Sequence, residues 1–282
     1  MKQIRIPQNR LLRCLYLLVH RYLRHRVGVQ SAALAFYLLF MLFPFLIFIS
    51  ALLGSLQLDV AAILQELRGF LPQEIVAMAE MYLNHVSRYP SSRLLTFGLV
   101  FSVYFPWRVT NALMRAVRTA YHLGPPRGTV IHICKALLYT VLLMGTIALS
   151  LLLMTVSDRM LRYTVEQFRL PAAVAALWAV LRFPLIGVAG FFALIALYAL
   201  ARDSRTPWQD LWPGTLAALG AWLGLSWLYA WYVENVAQYS LLYGSIGAVI
   251  VLLIWLYMSA VILIMGAELN GVLAGMRKEE IC

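Results

Sequence analysis

One arginine lies inside a long apolar run of this chain, where a charge is expensive. Arg182 interrupts the run 172–201, about 15 Å from the nearer end at 1.5 Å per helical residue. An arginine at the centre of a membrane helix costs roughly 2.5–3.5 kcal/mol on insertion scales, so it should face a helix bundle or water. The planar guanidinium binds phosphate and carboxylate oxygens in pairs. We interpret Arg182 as a candidate site for an anionic group such as a lipid phosphate.

Other polar residues fall at a similar depth in neighbouring runs, namely Tyr104, Thr146 and Ser226. Pro44 and Pro184 lie within two of the runs, and a proline removes a backbone donor and usually kinks its helix. Together these residues predict a kinked, partly polar substrate-binding pocket at mid-membrane. In the alternative interpretation, Arg182 reaches toward the headgroups or satisfies nearby carbonyls and only fixes packing.

A second pair of charges lies near the inner ends of two runs. Lys135 and Glu268 fall at about the same level, so an ion pair that closes the inner side is one interpretation. A partly hydrated carboxylate at headgroup level is the other. At the opposite end of the last run, Tyr243, Gly244 and Ser245 begin a helix, where Ser245 can cap and Gly244 permits close packing. A helix N-terminus also binds anions, but packing is the preferred interpretation of this motif.

The residue types that enzymes require are not arranged for catalysis. The five histidines, at positions 20, 25, 85, 122 and 132, show no metal-ligand spacing. The sequence has neither a G-x-S-x-G nucleophile elbow nor a phosphate-binding P-loop. It therefore predicts a protein that is not an enzyme and that needs neither a cofactor nor a metal.

The elements that would position these residues are long apolar helices. The chain has 62% hydrophobic and 12% charged residues, whereas soluble domains carry roughly 25% charged residues. A helix needs roughly 20 apolar residues to cross the hydrocarbon core. The candidate spans are 29–56, 94–114, 131–156, 172–201, 211–233 and 243–274. The predicted fold class is all-α, a polytopic membrane bundle of six transmembrane helices.

The distribution of lysine and arginine predicts the orientation of this bundle. Alternate segments, 1–28, 108–130, 202–210 and 275–282, hold 15 of the 23 Lys and Arg residues, and the opposite segments hold six. Basic loops stay on the cytoplasmic side, so both termini should be cytoplasmic. The net charge of +11 is explained by this topology and by anionic lipid headgroups, so we expect membrane lipids and no nucleic acid as partners. A homo-oligomer stays open.

Two further segments are predicted to be amphipathic, one at each membrane face. Residues 10–26 place leucines on one helical face and basic residues elsewhere, as in a helix that lies on an anionic leaflet. Residues 59–87 are too polar to span and predict two helices on the external face. The predicted organisation is a basic interfacial helix in 1–28, a membrane domain over 29–274 and a short cytoplasmic tail, 275–282.

An ordered set of motifs covers most of the chain. It consists of Ala32–Tyr37 with Leu42–Pro44, Asn111–Leu113 with Ala120-Tyr121 and Arg127-Gly128, Trp208 with Pro213-Gly214, Tyr243–Ala248, Trp255–Tyr257, and Gly266–Asn270. In order and spacing this set resembles the YihY/BrkB family of bacterial inner-membrane proteins, once labelled ribonuclease BN. Only Pro106-Trp107 departs from the family pattern. The resemblance implies six helices with both termini in the cytoplasm, and Tyr243, Gly244, Ser245, Gly266 and Glu268 match its most specific motifs.

Three functional hypotheses follow. In the first, the protein transports or exports an anionic or amphiphilic substrate, which includes lipids, through a pocket that contains Arg182. In the second, it is a scaffold for envelope integrity that does not transport. The third, a membrane-tethered ribonuclease, is the most remote, because no residues here support that old label. The resemblance itself implies no single activity, since members are variously regarded as envelope-integrity factors, virulence-associated proteins or transporters.

Overall fold

The described part of the chain is all-helical. The computed structural model describes residues 9–55, 92–124, 128–155, 173–202, 210–235 and 245–281. They form seven helices, numbered here in chain order: α1 Arg10–Arg24, α2 Val27–Ser55, α3 Ser92–Ala120, α4 Thr129–Thr155, α5 Ala173–Leu200, α6 Trp212–Asn235 and α7 Ser245–Ile281. The helices predicted at 59–87 lie outside the described residues.

Helices α2 to α7 coincide with the six apolar runs. Within the described ranges, the segments Trp212–Val233 and Val249–Arg277 are long and apolar enough to cross a membrane, and α1 with Val27–Leu42 would make a third as a bent pair. Val130–Thr146 and Pro184–Leu200 are shorter apolar segments. A helical membrane protein therefore agrees with the structure, as the sequence predicted.

Helix α1 is attached to the bundle without entering its core. Asn9 caps its N-terminus by accepting from the backbone N–H of Leu11 at 3.3 Å, and none of its residues is fully buried. The axis turns by 63° into α2, and Arg26 at the corner has a positive φ of 51°. An exposed apolar stripe runs along α1, formed by Leu11, Leu12, Leu15, Val19 and Leu23. The predicted amphipathic helix at 10–26 is thus present, and its apolar face points away from the bundle.

The packed core lies between α2, α3 and α7, with α5 beside them. Helix α2 packs most extensively against α3, and α7 contacts α6, α2, α1 and α3. Fully buried side chains include Val117 of α3, Leu197 and Tyr198 of α5, and Ile264 of α7. Outward faces of α4, α5 and α6 expose large apolar side chains, among them Val141, Val180 and Trp227. Such faces are typical of helices in contact with lipid, because burying them in hydrocarbon removes them from water.

Helices α6 and α7 approach so closely that only glycine fits at the crossing. A Cβ at Gly214 would overlap the carbonyl oxygen of Gly266, and a Cβ at Gly266 would stand 2.7 Å from Ala218 Cβ. Asn270 fastens the crossing, since its Oδ1 accepts from Gly214 N–H at 2.6 Å and its Nδ2 donates to the Leu211 carbonyl at 2.7 Å. Small residues at a helix interface permit this approach. The crossing fixes the rotation of α7 and hence the direction of Glu268.

Three prolines lie inside helices rather than at their ends. Helices α2, α3 and α5 continue through Pro44, Pro106 and Pro184. The unusual Pro106-Trp107 therefore does not end its helix, which reaches Ala120 as a continuous extension. Kinks at Pro44 and Pro184 stay predictions.

Candidate functional site

The best-packed polar cluster centres on one buried carboxylate. Glu268 is 1% exposed and lies against two side chains of the N-terminal region, Arg21 and His25. One carboxylate oxygen accepts from Arg21 Nη1 at 3.3 Å, and the other lies 2.6 Å from His25 Nδ1. Arg21 is 15% exposed and His25 9%. Through these two contacts, Glu268 of α7 is linked to Arg21 of α1 and to His25 at the bend after α1. We call Arg21, His25 and Glu268 the inner latch.

The end of α3 supplies the third side of the inner latch. Arg21 Nη1 also donates to the Ala120 carbonyl at 2.9 Å, one of the acceptors that a helix C-terminus leaves unpaired. Gly271 makes room for this contact, because a Cβ there would overlap the Ala120 carbonyl oxygen and lie 2.9 Å from Arg21 Nη1. One guanidinium therefore connects three helices, and the bend between α1 and α2 is what brings it there.

His122 lies directly after α3, beside the inner latch. Its ring meets the His25 ring edge to face with centroids 5.5 Å apart, and its backbone has a positive φ of 53°. Burial lowers the pKa of His122, and the nearby positive charges of Arg21 and His25 lower it further. Protonation of His122 is therefore disfavoured next to this cluster.

Two further arginines lie at the same end of the bundle. Arg118 is buried and donates to the carbonyls of Gly124 at 2.7 Å and Ala201 at 3.1 Å, so it links the segment after α3 to the end of α5. Arg202 stacks on Tyr121, with its guanidinium carbon 3.9 Å from the ring centroid. Burial raises the pKa of Tyr121 to about 12, although the charge of Arg202 opposes that shift. The C-termini of α3 and α5 thus carry the cations that their helix dipoles favour.

The partners of Glu268 differ from the one that the sequence suggested. Instead of a Lys135–Glu268 pair, the structure shows Glu268 paired with Arg21 and His25. The reason is the arrangement of the helices: α4, which carries Lys135, packs against α5 and α3, whereas α7 packs against α1, α2, α3 and α6. The carboxylate is also fully buried rather than hydrated at a headgroup level.

The predicted mid-membrane residues are only partly described. Arg182 lies within α5, but its side chain is outside the described residues. Tyr104 is exposed at the surface of α3, and the Thr146 hydroxyl donates to the Leu142 carbonyl one turn earlier. The Ser226 hydroxyl is buried and has no hydrogen-bond partner. The mid-membrane pocket around Arg182 therefore stays a prediction.

A buried indole N–H, like the Ser226 hydroxyl, has no hydrogen-bond partner. Trp178 lies one turn before Arg182 on α5, and its Nε1 is also buried without a hydrogen-bond partner. Helices α5 and α6 pack against each other. Each unsatisfied donor of this kind costs about 1–3 kcal/mol, and the described residues contain several others. Sequence reasoning missed Trp178, since a tryptophan in an apolar run gives no signal of its own.

The glycine-rich motifs are explained by packing where they are described. Gly266 lies at the α6–α7 crossing, two residues before Glu268. Tyr243 and Gly244 fall outside the described residues, and Ser245 begins α7, though its side chain is not described. Gly220 and Gly224 on α6 have nothing within 4 Å of a built Cβ, so the helix contacts described here do not use that pair. Among the described residues, no group of three His, Cys, Asp or Glu side chains could hold a metal ion.

Comparison with known proteins agrees with the motif analysis. The sequence profile described as virulence factor BrkB matches residues 18–281. The chain is 29% identical to the ribonuclease-like protein YfkH of Bacillus subtilis, over 93% of this chain and 95% of that protein. It is 24% identical to a UPF0761 membrane protein of Vibrio atlanticus, over 91% of this chain and 80% of that protein. A UPF0761 membrane protein of Alkalilimnicola ehrlichii is 36% identical over 31% of this chain and 20% of its own length. No solved structure matches the chain.

Proposed function

The chain belongs to the virulence factor BrkB family of membrane proteins, and from that premise we propose that it moves an anionic or amphiphilic substrate across the bacterial inner membrane. In this proposal six helices, α2 to α7, span the bilayer and both termini are cytoplasmic. The supporting observation for the orientation is the concentration of lysine and arginine in alternate segments. The inner latch then lies at the cytoplasmic end of the bundle.

The observation that carries the transport proposal is the pair of unsatisfied donors on α5 and α6, one of which lies one turn before Arg182. The buried Trp178 Nε1 and Ser226 Oγ have no protein acceptor, although each such donor costs about 1–3 kcal/mol. Arg182 adds a cation to the same stretch of α5. Donors and a cation held within hydrocarbon depth suit a headgroup phosphate or another anion that passes through. The mobile substrate would supply the acceptors that the chain does not.

The inner latch suits the role of a closure on the cytoplasmic side. It ties the peripheral helix α1 to α3 and α7 through polar contacts, and α1 has no fully buried side chain, although Tyr22 packs against the core. When the latch opens, water or lipid phosphates can replace the polar partners that its charged groups lose, which they cannot do for an apolar core. Release of α1 would open this end while the Gly214–Gly266 crossing holds the rest of the bundle.

Reconstitution tests the transport proposal. Wild-type protein, Arg182→Gln and Arg115→Gln are placed in vesicles that carry a fluorescent anionic phospholipid, and translocation is followed by quenching from outside. Arg115 is exposed on α3, so its variant is the matched loss of one charge. We expect the wild type and Arg115→Gln to translocate equally, and Arg182→Gln at least about tenfold more slowly, since about 1.4 kcal/mol of lost interaction is a factor of ten in rate. A wild type that translocates no faster than empty vesicles would refute transport, and equal rates for folded Arg182→Gln would remove Arg182 from the mechanism.

A scaffold role in envelope integrity is the second candidate, favoured by α1. Its exposed leucine stripe beside exposed Arg10 and Arg24 suits the surface of an anionic leaflet. In this role, deletion of 59–87 abolishes complementation of a knockout strain while Arg182→Gln restores growth. In the transport role, Arg182→Gln fails to complement.

For catalysis, we propose that the protein is not an enzyme, nucleases included. Its expected partners are membrane lipids and not nucleic acid, and further copies of the chain stay open as partners. Purified protein should not degrade RNA with or without divalent metal. Metal-dependent cleavage that survives stringent purification and is lost in a His122→Asn or Glu268→Gln variant would overturn this.

A further inference from the structure

A second arginine lies deep in the bundle, between α2 and α3. Arg108 is twelve residues before Ala120, the last residue of α3, which is about 18 Å along the helix axis at 1.5 Å per residue. Its partner Tyr37 is ten residues into α2 from Val27, or about 15 Å. Both distances correspond to about half of a hydrocarbon core roughly 30 Å thick. Arg108 therefore lies farther from this end of the bundle than the other arginines of the segment 108–130.

The contacts of Arg108 leave one of its N–H donors without an acceptor and its positive charge without a carboxylate partner among the described residues. Its Nη2 donates to the Tyr37 hydroxyl at 2.8 Å, and its guanidinium carbon lies 5.0 Å from the centre of the Tyr37 ring. Its Nε is buried without a hydrogen-bond partner, and so is Nε1 of the adjacent Trp107. Because guanidinium has no acceptor, the Tyr37 hydroxyl only accepts from it and keeps its own hydrogen to donate elsewhere.

Among the described residues, no acidic side chain forms an ion pair with Arg108. Within the six predicted spans the sequence contains a single carboxylate, Glu268, against three cations, Arg108, Lys135 and Arg182. Glu268 is already held by Arg21 and His25, at the level of Ala120. The ion pairs among the described residues do not include Arg108. A cation at this depth without a carboxylate partner is costly. Charged residues inside membrane helices are rare and usually mark functional sites, so Arg108 is a candidate for one.

From this placement we propose that Arg108 and Tyr37 form a binding site for a phosphate group between α2 and α3. The Arg108 Nε–H and the Tyr37 O–H are two donors on facing helices, and the guanidinium supplies the charge that a phosphate monoester requires. The site would take a lipid phosphate or a free phosphate, which share this chemistry. It rests on the proposed transport of an anionic or amphiphilic substrate, for which it names the recognised group.

The site is tested by binding rather than by transport. Full-length protein in a neutral detergent is unfolded thermally while its tryptophan fluorescence is followed, in the presence of short-chain phosphatidic acid, inorganic phosphate or short-chain phosphatidylcholine. A ligand that binds only the folded state raises Tm with its concentration. Since no translocation is measured, a failed transport assay leaves this result unaffected, and a failed binding assay leaves Arg182 to be judged separately.

The variants separate binding from structure. Arg115→Gln, two turns further along α3 and exposed, removes the same charge and should keep the response of the wild type. Arg108→Gln should need at least about tenfold more phosphatidic acid for half of the Tm rise, and Tyr37→Phe should show a smaller loss. Without ligand, Arg108→Gln should be at least as stable as the wild type, because it removes a partly buried charge that has no carboxylate partner among the described residues. A purely structural arginine would instead lower Tm when removed.

Each outcome decides the proposal. A response to phosphatidic acid alone identifies a lipid phosphate, and an equal response to inorganic phosphate identifies a free anion. The site is overturned if Arg108→Gln needs no more phosphatidic acid than the wild type for half of the Tm rise. If Arg108→Gln does not fold, the same result for Tyr37→Phe and Arg108→Lys overturns it. A wild type that responds to phosphatidylcholine as strongly as to phosphatidic acid, or to neither phosphate ligand, would overturn it as well.

Discussion

Replacing Glu268 by glutamine removes the charge from the inner latch and keeps its shape. The side chain is 1% exposed and holds Arg21 and His25, so the change deprives the Arg21 guanidinium of its buried counter-charge and weakens the contact with His25. Breaking a buried ion pair from one side costs about 3–5 kcal/mol when the remaining charge is uncompensated. Here Arg21 is 15% exposed and keeps the Ala120 carbonyl, so we take the lower end, about 3 kcal/mol. For a chain of this size that corresponds to a fall in Tm of roughly 6–12 °C.

The exposed pair Arg277–Asp210 provides the matched control. Its N–O distance is 3.0 Å, and its side chains are 44% and 19% exposed. Asp210→Asn makes the same carboxylate-to-amide change there and should cost less than about 1 kcal/mol. Thermal unfolding is measured for Glu268→Gln and for Asp210→Asn. Arg21→Gln and the double variant Arg21→Gln/Glu268→Gln complete a double-mutant cycle, which measures the coupling between the two latch residues. If Glu268→Gln lowers Tm no more than Asp210→Asn, or if the two latch variants add independently, the inner latch does not hold α1 to the bundle.

Two other predictions concern acid sensitivity and the α6–α7 crossing. Because the pKa of His122 is lowered on folding, the unfolded chain binds more protons there, so stability is lost as pH falls below the ordinary histidine pKa of about 6.5. His122→Asn, which tolerates the positive φ, should reduce the fall in Tm between pH 7 and pH 5, and an identical pH profile would contradict this. Gly266→Ala, whose Cβ would lie 2.7 Å from Ala218 Cβ, should lose about 1–3 kcal/mol of stability. Gly220→Ala, with nothing within 4 Å, should be neutral or slightly stabilising in the same unfolding experiment.

The helices could be predicted from the sequence because their apolar runs are long and continuous. All six runs contain a described helix, and the amphipathic pattern at 10–26 is observed as α1. The signal there is local: period, composition and length fix the helix without any knowledge of its neighbours.

The partners inside the bundle could not be predicted because they depend on how the helices are arranged. The inner latch joins residues 243 and 247 positions apart along the chain, and it needs the 63° turn after α1. Depth counting placed Lys135 level with Glu268 but gave no indication that α4 and α7 are not extensive neighbours. Arg108 was assigned to a cytoplasmic extension, since hydropathy does not say where along a continuous helix the membrane begins. Its contact with Tyr37, ten residues into α2, has no signal in either stretch of sequence.

Accessibility of position 182 tests the central claim that the bundle holds a cation in a polar pathway. In a background with Cys14, Cys134 and Cys282 replaced by serine, Arg182→Cys and Val180→Cys are exposed to a small charged thiol reagent in membranes. Val180 is 70% exposed on the outer face of α5, where lipid should shield it. The proposal predicts that the cysteine at 182 is modified and that added phosphatidic acid slows the reaction, while the cysteine at 180 stays unmodified. A cysteine at 182 that is as unreactive as the one at 180 would contradict it.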